Sequence, residues 1–493
     1  MPRLALPSIL PATIAFALLA GCAVGPDYVK PSVPTAENFK EAAGLKSPWT
    51  QLGETAPPVP EQWWKVFGDP VLDALQEEVR INNQNIAIAE AQYRAARAAL
   101  DSANAAFYPT VNAGFGGTRA ANAITTSSNN TQVQGNRAPT NTVNLSASAS
   151  WELDLWGRIR RSSEAAGARL EASAADLAGA RLSAHALLAQ TYIQLRSTET
   201  QLDLQQRTVV AYTRYLQFTR NRYEAGVIGM LDVSNAESQL ATAKAAAYTL
   251  ELLRAQYEHA LATLIGKVPS ELALTGTAAL PAQPNTPQLI PSLWLATRPD
   301  IVAAERRVAA ANAQIGVAKA AWFPTLTLSA TGGYRNNELS DLIGASHRFW
   351  SLGPAFAMAL FDGGARTAAI ETAGANYDQS VATYRQTVLT AFQEVEDNLA
   401  ASRLVGEEKQ EREVAARAAR RTREIAVNQY AAGTSGQLEV TSALATELSA
   451  ERTLIDARQR HLQAAVQLYK NTGRAFPPPA EPAPTSPDSS PKP

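Results

Sequence analysis

The sequence predicts a mainly α-helical chain that carries two β-hairpins and repeats one structural unit twice. Two stretches without proline, 158–268 and 355–476, leave room for helices of many turns. Two runs place apolar residues at every second position, around 109–155 and 325–360, which is typical of strands. Matching motifs recur in both halves at a fixed spacing, and such self-similarity indicates a tandem duplication.

The first 21 residues have the features of a secretory signal peptide. Arg3 precedes an apolar stretch from Ile9 to Ala20, and small residues follow before Cys22. Cys22 is the single cysteine of the 493-residue chain, which excludes an internal disulfide or a multi-cysteine metal site. Its position matches a bacterial lipobox, so we predict lipidation of Cys22 and, since Ala23 follows instead of Asp, an outer-membrane location. An ordinary signal peptide with a chance cysteine is the alternative.

The motifs divide the chain into six regions. In order, these are a signal peptide 1–21, a lipidated N-terminal segment 22–68, a first repeat 69–266, a connection 267–297, a second repeat 298–473 and a proline-rich tail 474–493. Each repeat consists of a helix, a hairpin, a long helix, a tip and a further helix. The hairpins are predicted at 108–156 and 323–361, and the tips at 223–233 and 430–440.

The helix signals are clear at two places in the first repeat. Asp69 is a good N-cap and Pro70 suits the first helical turn, and the apolar spacing then continues to about Ala106. The proline-free stretch predicts a single helix over 158–224, which at 1.5 Å per residue is roughly 100 Å long.

The duplication keeps its register over most of the chain. Phe107-Tyr108-Pro109 returns as Trp322-Phe323-Pro324, 215 positions later. Beyond the second hairpin the spacing is 207, because the loop of that hairpin is eight residues shorter. At this spacing Tyr223 returns as Tyr430 and Gly266 as Gly473.

The two tips share a pattern of aromatic, glycine and acidic residues. Each has a tyrosine, two glycines and a carboxylate that is followed by valine, and the acidic residues are Asp232 and Glu439. The glycines permit a tight turn of the backbone; they are Gly226, Gly229, Gly433 and Gly436. A carboxylate near the start of a helix is also favoured by the helix dipole alone, so a capping role is the alternative to a functional one.

The number of predicted strands limits how the chain can cross a membrane. Four strands cannot close a membrane barrel, because bacterial barrels begin at about eight strands. Open sheet edges are not tolerated in lipid. If these hairpins span a membrane, they must therefore meet the hairpins of other copies. A soluble pair of hairpins that packs on its own helices is the alternative.

At this point the chain resembles the outer membrane factors of the TolC type, and specifically the lipoprotein branch (OprM/NodT-like) that serves RND multidrug efflux. The resemblance covers nearly the whole mature chain and lacks only the proline-rich tail. The order of the motifs is more specific than any one of them. The residues that carry it are Cys22-Ala23-Val24-Gly25-Pro26-Asp27-Tyr28, Trp63-Trp64, Phe67-Gly68-Asp69-Pro70, Arg298-Pro299-Asp300-Ile301, Trp322-Phe323-Pro324 and the two tips.

This resemblance implies a homotrimer with a 12-stranded outer-membrane β-barrel, continued by a periplasmic α-barrel of 12 helices. The segments 22–68 and 267–297 would form an equatorial wrap and connection. The tube would be a passive exit duct for drugs or other small toxic compounds. A periplasmic adaptor of the membrane fusion class and an inner-membrane RND transporter would be its partners, besides outer-membrane lipid.

The resemblance also assigns roles at the tips. Asp232, Glu439 and Tyr430 would line or close a periplasmic gate, and a ring of carboxylates there could attract cations. The four tip glycines would contact the adaptor. The family latch often uses an arginine two residues after the glycine, but this chain has Ser435 there. Arg220 or Arg222 are candidates to replace it.

Other classes of function find little support in the sequence. The formal charge of −1 argues against nucleic-acid binding, and four scattered histidines have no metal-ligand spacing. We find no nucleophile triad or phosphate-binding loop, so we expect neither an enzyme nor a cofactor. The alternatives that stay open are a duct for type I protein secretion or metal efflux, and a helical scaffold lipoprotein without a pore.

Overall fold

A computed structural model describes residues 23–33, 39–41, 62–121, 139–274, 279–284 and 297–472. The predicted signal peptide, the predicted lipidation site Cys22 and the tail 474–493 lie outside these ranges. The chain divides into two compact units. Unit 1 comprises Met1–Pro31, Arg94–Glu171 and Glu305–Ala382, and unit 2 comprises Ser32–Tyr93, Ala172–Ala304 and Thr383–Pro493.

Long helices make up most of the described chain. In order they are α1 (Pro70–Asn82), α2 (Gln84–Ala105), α3 (Arg158–Glu224), α4 (Met230–Leu264), α5 (Pro299–Ala320), α6 (Ala365–Ala431) and α7 (Gln437–Thr472). α3 occupies the range that the proline-free stretch predicts. α6, its counterpart in the second repeat, has the same length of 67 residues. None of the described helices is long and apolar enough to cross a membrane.

One helix predicted in the first repeat is in fact two. The expected helix from Pro70 to about Ala106 breaks at Asn83, between α1 and α2. The Asn83 side chain accepts hydrogen bonds from the amides of Asn85 and Ile86, and it donates to the carbonyl of Leu264 at 2.7 Å. It therefore caps α2 and attaches this break to the end of α4, which helical spacing alone does not reveal.

The four strands of unit 1 form one antiparallel sheet in the order β1-β2-β3-β4. They are β1 (Thr110–Ala120), β2 (Thr140–Leu153), β3 (Thr325–Asn336) and β4 (Arg348–Ala357). β1 and β4 are the edge strands of this sheet, and most of their residues are exposed. The alternation of apolar residues in the sequence therefore corresponds to real strands.

The segment after the predicted lipidation site is held firmly within unit 1. Gly25 has φ +108°, and a Cβ atom built on it would lie 2.5 Å from Cα of Gly316 in α5. Only glycine fits such a close approach of two backbones. Arg161 of α3, which is buried, forms an ion pair of 2.7 Å with Asp27. The residues that directly follow Cys22 are thus fixed against α3 and α5.

The hydrophobic core of unit 2 is formed around aromatic side chains near α1. Trp63 and Trp64 are almost fully buried in a short 3₁₀ helix, Trp63–Phe67. The ring of Trp63 stacks on Tyr469 of α7 at a centroid distance of 5.7 Å. The hydroxyl of Tyr192 in α3 donates to the N-cap carboxylate of Asp69 at 2.6 Å. The start of α1 therefore contacts both helical hairpins, the one formed by α3 and α4 and the one formed by α6 and α7.

A buried histidine belongs to the same core. The His185 ring stacks on Trp64 at 4.4 Å, and its Nδ1 atom lies 2.6 Å from Oε1 of Gln76. Because that amide oxygen can only accept, Nδ1 carries the proton and donates it. Burial is the main cause that lowers the pKa of His185 to about 4. The imidazole is therefore neutral in the folded protein at physiological pH.

This histidine should make the protein sensitive to acid. Its folded-state pKa lies below the ordinary value of about 6.5, so protons bind preferentially to the unfolded chain. Stability should fall as the pH drops from about 6.5 towards 4, by up to about 3 kcal/mol from this group. Urea unfolding at several pH values measures it.

The matched pair for this test is His185→Gln and His259→Gln, since His259 is exposed. His185→Gln should flatten the loss of stability in that pH range, apart from a remaining slope from half-buried His461, whose pKa burial also lowers. His259→Gln should behave like the original protein. Equal pH profiles for all three proteins would contradict the assignment.

Candidate functional site

Both predicted tips have the same backbone turn. At the first tip Gly226 has φ +70°, its amide donates to Tyr223, and the next amide, of Val227, donates to Arg222. At the second tip Gly433 has φ +74° and the same two bonds recur 207 residues later. This pair of bonds is the Schellman motif, which ends a helix at a left-handed glycine.

The other two glycines precede the returning helices. Gly229 is the N-cap of α4, with φ −89°, and Gly436 directly precedes α7. A Cβ atom built on any of the four tip glycines meets no other atom within 4 Å. Larger side chains at these positions would therefore project from the surface of the tips, and would not disturb the interior.

The two predicted acidic residues lie in the first turns of α4 and α7. Asp232 is half-buried and Glu439 is exposed. The valines that follow them, Val233 and Val440, are both buried in a cluster shared by the two tips. The structure therefore brings the two acidic turns together, as the repeated motif suggests.

This shared cluster, which we call the tip cluster, joins the two repeats. Four of its residues come from the first repeat and four from the second. The members are Tyr215, Leu216, Val233, Ala236, Ala426, Tyr430, Val440 and Ala443. Two equivalent pairs, Val233 with Val440 and Ala236 with Ala443, are visible from the spacing of 207, but their mutual contact is not.

Tyr430 is the central contact of the tip cluster. Its ring packs edge-on against Phe218 of α3 at 5.5 Å, and it lies 6.4 Å from the ring of Tyr215. The guanidinium of Arg222 lies 5.3 Å above the ring of Tyr430 and 6.0 Å from that of Phe218. A cation over an aromatic face is worth about 0.5–2 kcal/mol.

Arg222, and not Arg220, therefore makes the contact between the two repeats. Arg220 instead forms an ion pair of 2.6 Å with Glu237, which joins α3 to α4 within the first helical hairpin. Arg423 and Glu447 make a similar bridge of 2.9 Å within the second hairpin. Ser435 hydrogen-bonds only within its own turn among the contacts of the described residues.

Sequence analysis alone missed Phe218 and Tyr215 as partners of Tyr430. A signal was present, because Tyr215, Phe218 and Arg222 are three and four residues apart and thus share one helix face. What was lacking was any indication that this face meets the second repeat. The buried hydroxyl of Tyr430 has no hydrogen-bond partner within the described part of the chain.

The equivalent tyrosines of the two tips have different surroundings. Tyr430 is 8% exposed, whereas Tyr223 is 44% exposed. Ile425, the counterpart of Phe218 in the second repeat, is also half exposed. The side of the second helical hairpin that carries Tyr430 thus contacts the first repeat. The equivalent side of the first helical hairpin, which carries Tyr223, contacts nothing comparable within the described chain.

The described residues form no cluster that could bind a metal ion. Across the described ranges, no group of three histidine, cysteine or acidic side chains is close enough to hold an ion. The tips instead combine an exposed turn, one acidic residue at the start of each returning helix and a small aromatic contact.

Comparison with known proteins identifies the kind of chain to which these features belong. Residues 75–267 and 290–474 match the outer membrane efflux protein family. Two proteins of Pseudomonas putida are each 30% identical over 471 residues, which cover 94% of this chain and 95% of each relative. One is named an antibiotic efflux pump outer membrane protein (ArpC), and the other a toluene efflux pump outer membrane protein (TtgC).

A solved structure agrees with these matches. The outer-membrane channel OprN superposes on this chain with a TM-score of 0.82 and 31% identity, covering 92% of this chain and 99% of that one. The matches extend over both repeats, the strands and the tips. The chain therefore belongs to the outer membrane efflux protein family and is an outer-membrane channel protein of an efflux system.

Proposed function

We propose that three copies of this chain form the passive outer-membrane exit duct of an RND-type tripartite efflux system, lipid-anchored at Cys22 and gated at the tips. The observation that carries the proposal is the sheet with two open edges, β1 and β4. Backbone groups at such edges must be paired inside a bilayer, because lipid offers no hydrogen-bond partners.

Strand number supports assembly from several copies. A barrel of at least about eight strands needs two or more four-stranded sheets. The likeness to TolC-type factors supports three copies, with 12 strands and a periplasmic barrel of 12 helices built from the duplicated unit. The exposed Tyr223 also supports a neighbouring copy, which would cover it as the first repeat covers Tyr430.

The gate in this proposal has two parts. Asp232 and Glu439, repeated around the mouth, form a ring of carboxylates that constricts and selects. Arg222 latches the two repeats of each chain by lying over Tyr430. Because the latch is a single cation–π contact, a docking partner could break it at low cost.

The proposed partners are a periplasmic adaptor at the tip glycines and an inner-membrane RND transporter that supplies the energy. The cargo is drugs or other small toxic compounds. The names of the two Pseudomonas relatives, which mention antibiotics and toluene, support this class of cargo. Loss of the gene should raise drug susceptibility if the proposal holds, and leave protein secretion unaffected.

Removing the carboxylate ring should open the mouth. The double variant Asp232→Ala and Glu439→Ala should raise the conductance of the purified protein in planar bilayers and weaken its preference for cations, since fixed negative charge attracts cations into a pore. Glu224→Ala is the matched control, because Glu224 is exposed at the end of α3 before the turn. No conductance in any variant would instead favour a scaffold without a pore.

Removing the latch should have a similar but smaller effect. Arg222→Gln deletes a cation over Tyr430 that is worth about 1 kcal/mol per chain, so open events should become more frequent in single-channel recordings. Arg220→Gln should change little, because Arg220 bridges only within its own hairpin. Tyr430→Phe keeps the ring and removes an unpaired hydroxyl, so it should keep the mouth closed. A larger effect of Arg220→Gln than of Arg222→Gln would contradict the latch.

Bulk at the tip surface should block docking of the adaptor. Gly433→Trp should abolish drug export while trimers persist in the membrane. Gly433→Ala is the matched control, because it carries the same strain of a positive φ, about 1–2 kcal/mol, without the bulk. Export assays together with the size of the solubilised protein measure this. Normal export by Gly433→Trp would exclude these glycines as a contact surface.

A further inference from the structure

The two β-hairpins pair their strands in equivalent registers. The same spacings therefore predict how strands of two different copies would pair. β1 pairs with β2 so that Phe115 faces Leu145. Moving Phe115 forward by 215 positions and Leu145 by 207 gives Ala330 and Leu352, which face each other in β3 and β4. The residue pairs of the second β-hairpin thus follow from those of the first, when 215 is added in the first strand and 207 in the second.

The pairing between the hairpins has no counterpart within one chain. β2 pairs with β3 across the two repeats, and Ala149 faces Ala330 there. The equivalent step from the second repeat onward would join β4 to the β1 strand of another copy. β1 and β4 are the open edges of this sheet, so both are available for it.

We propose that β4 of one copy pairs with β1 of the next in the register that the duplication prescribes, with Phe356 opposite Phe115. The residues follow from the pair Ala149 and Ala330, moved forward by 207 and back by 215. The same shift places Ala357 opposite Gly114. This inference rests on the proposed assembly of several copies and specifies how their strands meet.

The apolar faces of the two strands support this register. Phe115 and Phe356 are 65% and 66% exposed within one chain, although both are large aromatic residues. In the same register the exposed residues Val111 and Leu360 also face each other. Directly opposed residues point to one side of a sheet, so a shift by a single residue would place these apolar side chains against the opposite face.

The end of β4 is compatible with this register. The last three residues of β2, Trp151–Leu153, pair with β3 but not with β1. Their counterparts in the second repeat, 358–360, lie just beyond the end of β4 at Ala357. In the proposed register these residues pair only with β1 of the neighbouring copy. A single chain lacks that partner, which explains why β4 ends three residues early.

Cysteine cross-linking in the full-length protein tests the register. The chain has no cysteine apart from Cys22, so background disulfides are limited. Phe115→Cys with Phe356→Cys should give covalent dimers and trimers on oxidation. Gly114→Cys with Ala357→Cys is a second pair in the same register. Neighbouring positions in an antiparallel pair alternate between hydrogen-bonded and non-hydrogen-bonded pairs, whose side chains lie at different distances. The two cysteine pairs therefore include one of each kind.

Matched controls keep Phe356→Cys and move its partner by two residues, to Ala113→Cys or Gly117→Cys. These positions share the face of Phe115, and a Cβ atom built on Gly117 meets no other atom within 4 Å. They should cross-link far less than Phe115→Cys. Each variant with only one of these cysteines should give no covalently cross-linked trimer.

Two results would overturn the proposal. One is a slipped pair that gives the major product, and the other is the presence of intact trimers in which neither in-register pair cross-links. Drug export and conductance are measured on the same variants to separate the two levels of inference. A wrong register with normal export contradicts only this inference. A chain that stays monomeric and does not conduct contradicts the proposed function as well.

Discussion

The unpaired backbone edges of β1 and β4 limit how this protein can be built. Each edge carries N–H and C=O groups that need partners, and in a bilayer each unsatisfied group costs several kcal/mol. A four-stranded sheet cannot remove its own edges by closing. The duplication meets this requirement directly, because a chain that already pairs one repeat with the next has the geometry for pairing with another copy.

The contacts at the two ends of the helical hairpins in unit 2 differ in strength. Near α1, large rings such as Trp63 and Tyr192 are almost fully buried and tie several elements together. The tip cluster is smaller, and the buried hydroxyl of Tyr430 finds no partner among the described residues. Such an orphaned group costs about 1–3 kcal/mol. The two tips are therefore joined by contacts that can be exchanged with little loss of free energy, while the core near α1 stays intact.

The N-terminal segment shows how close packing fixes a functional element. Gly25 and Gly316 bring two backbones into contact, and the buried Arg161 holds Asp27 beside them. The proposed lipid on Cys22 is therefore attached to a segment with a defined position, since only one residue separates Cys22 from Val24, whose amide donates to the carbonyl of Trp156. Val24 is thereby placed at the end of the strands within unit 1.

Local signals in the sequence were enough to predict the elements and their repetition. Prolines, alternating apolar residues and left-handed glycines act on their own neighbours in the chain, so they indicated α3, the strands and both tips, and the spacing of 207 marked Asp232 and Glu439. The break at Asn83 was missed because its cause, a bond to Leu264, is distant in the chain. The tertiary structure was needed to show which arginine lies over Tyr430, and that Tyr223 is left exposed while Tyr430 is buried. These features depend on which helix faces meet, and a single amphipathic pattern allows more than one such meeting.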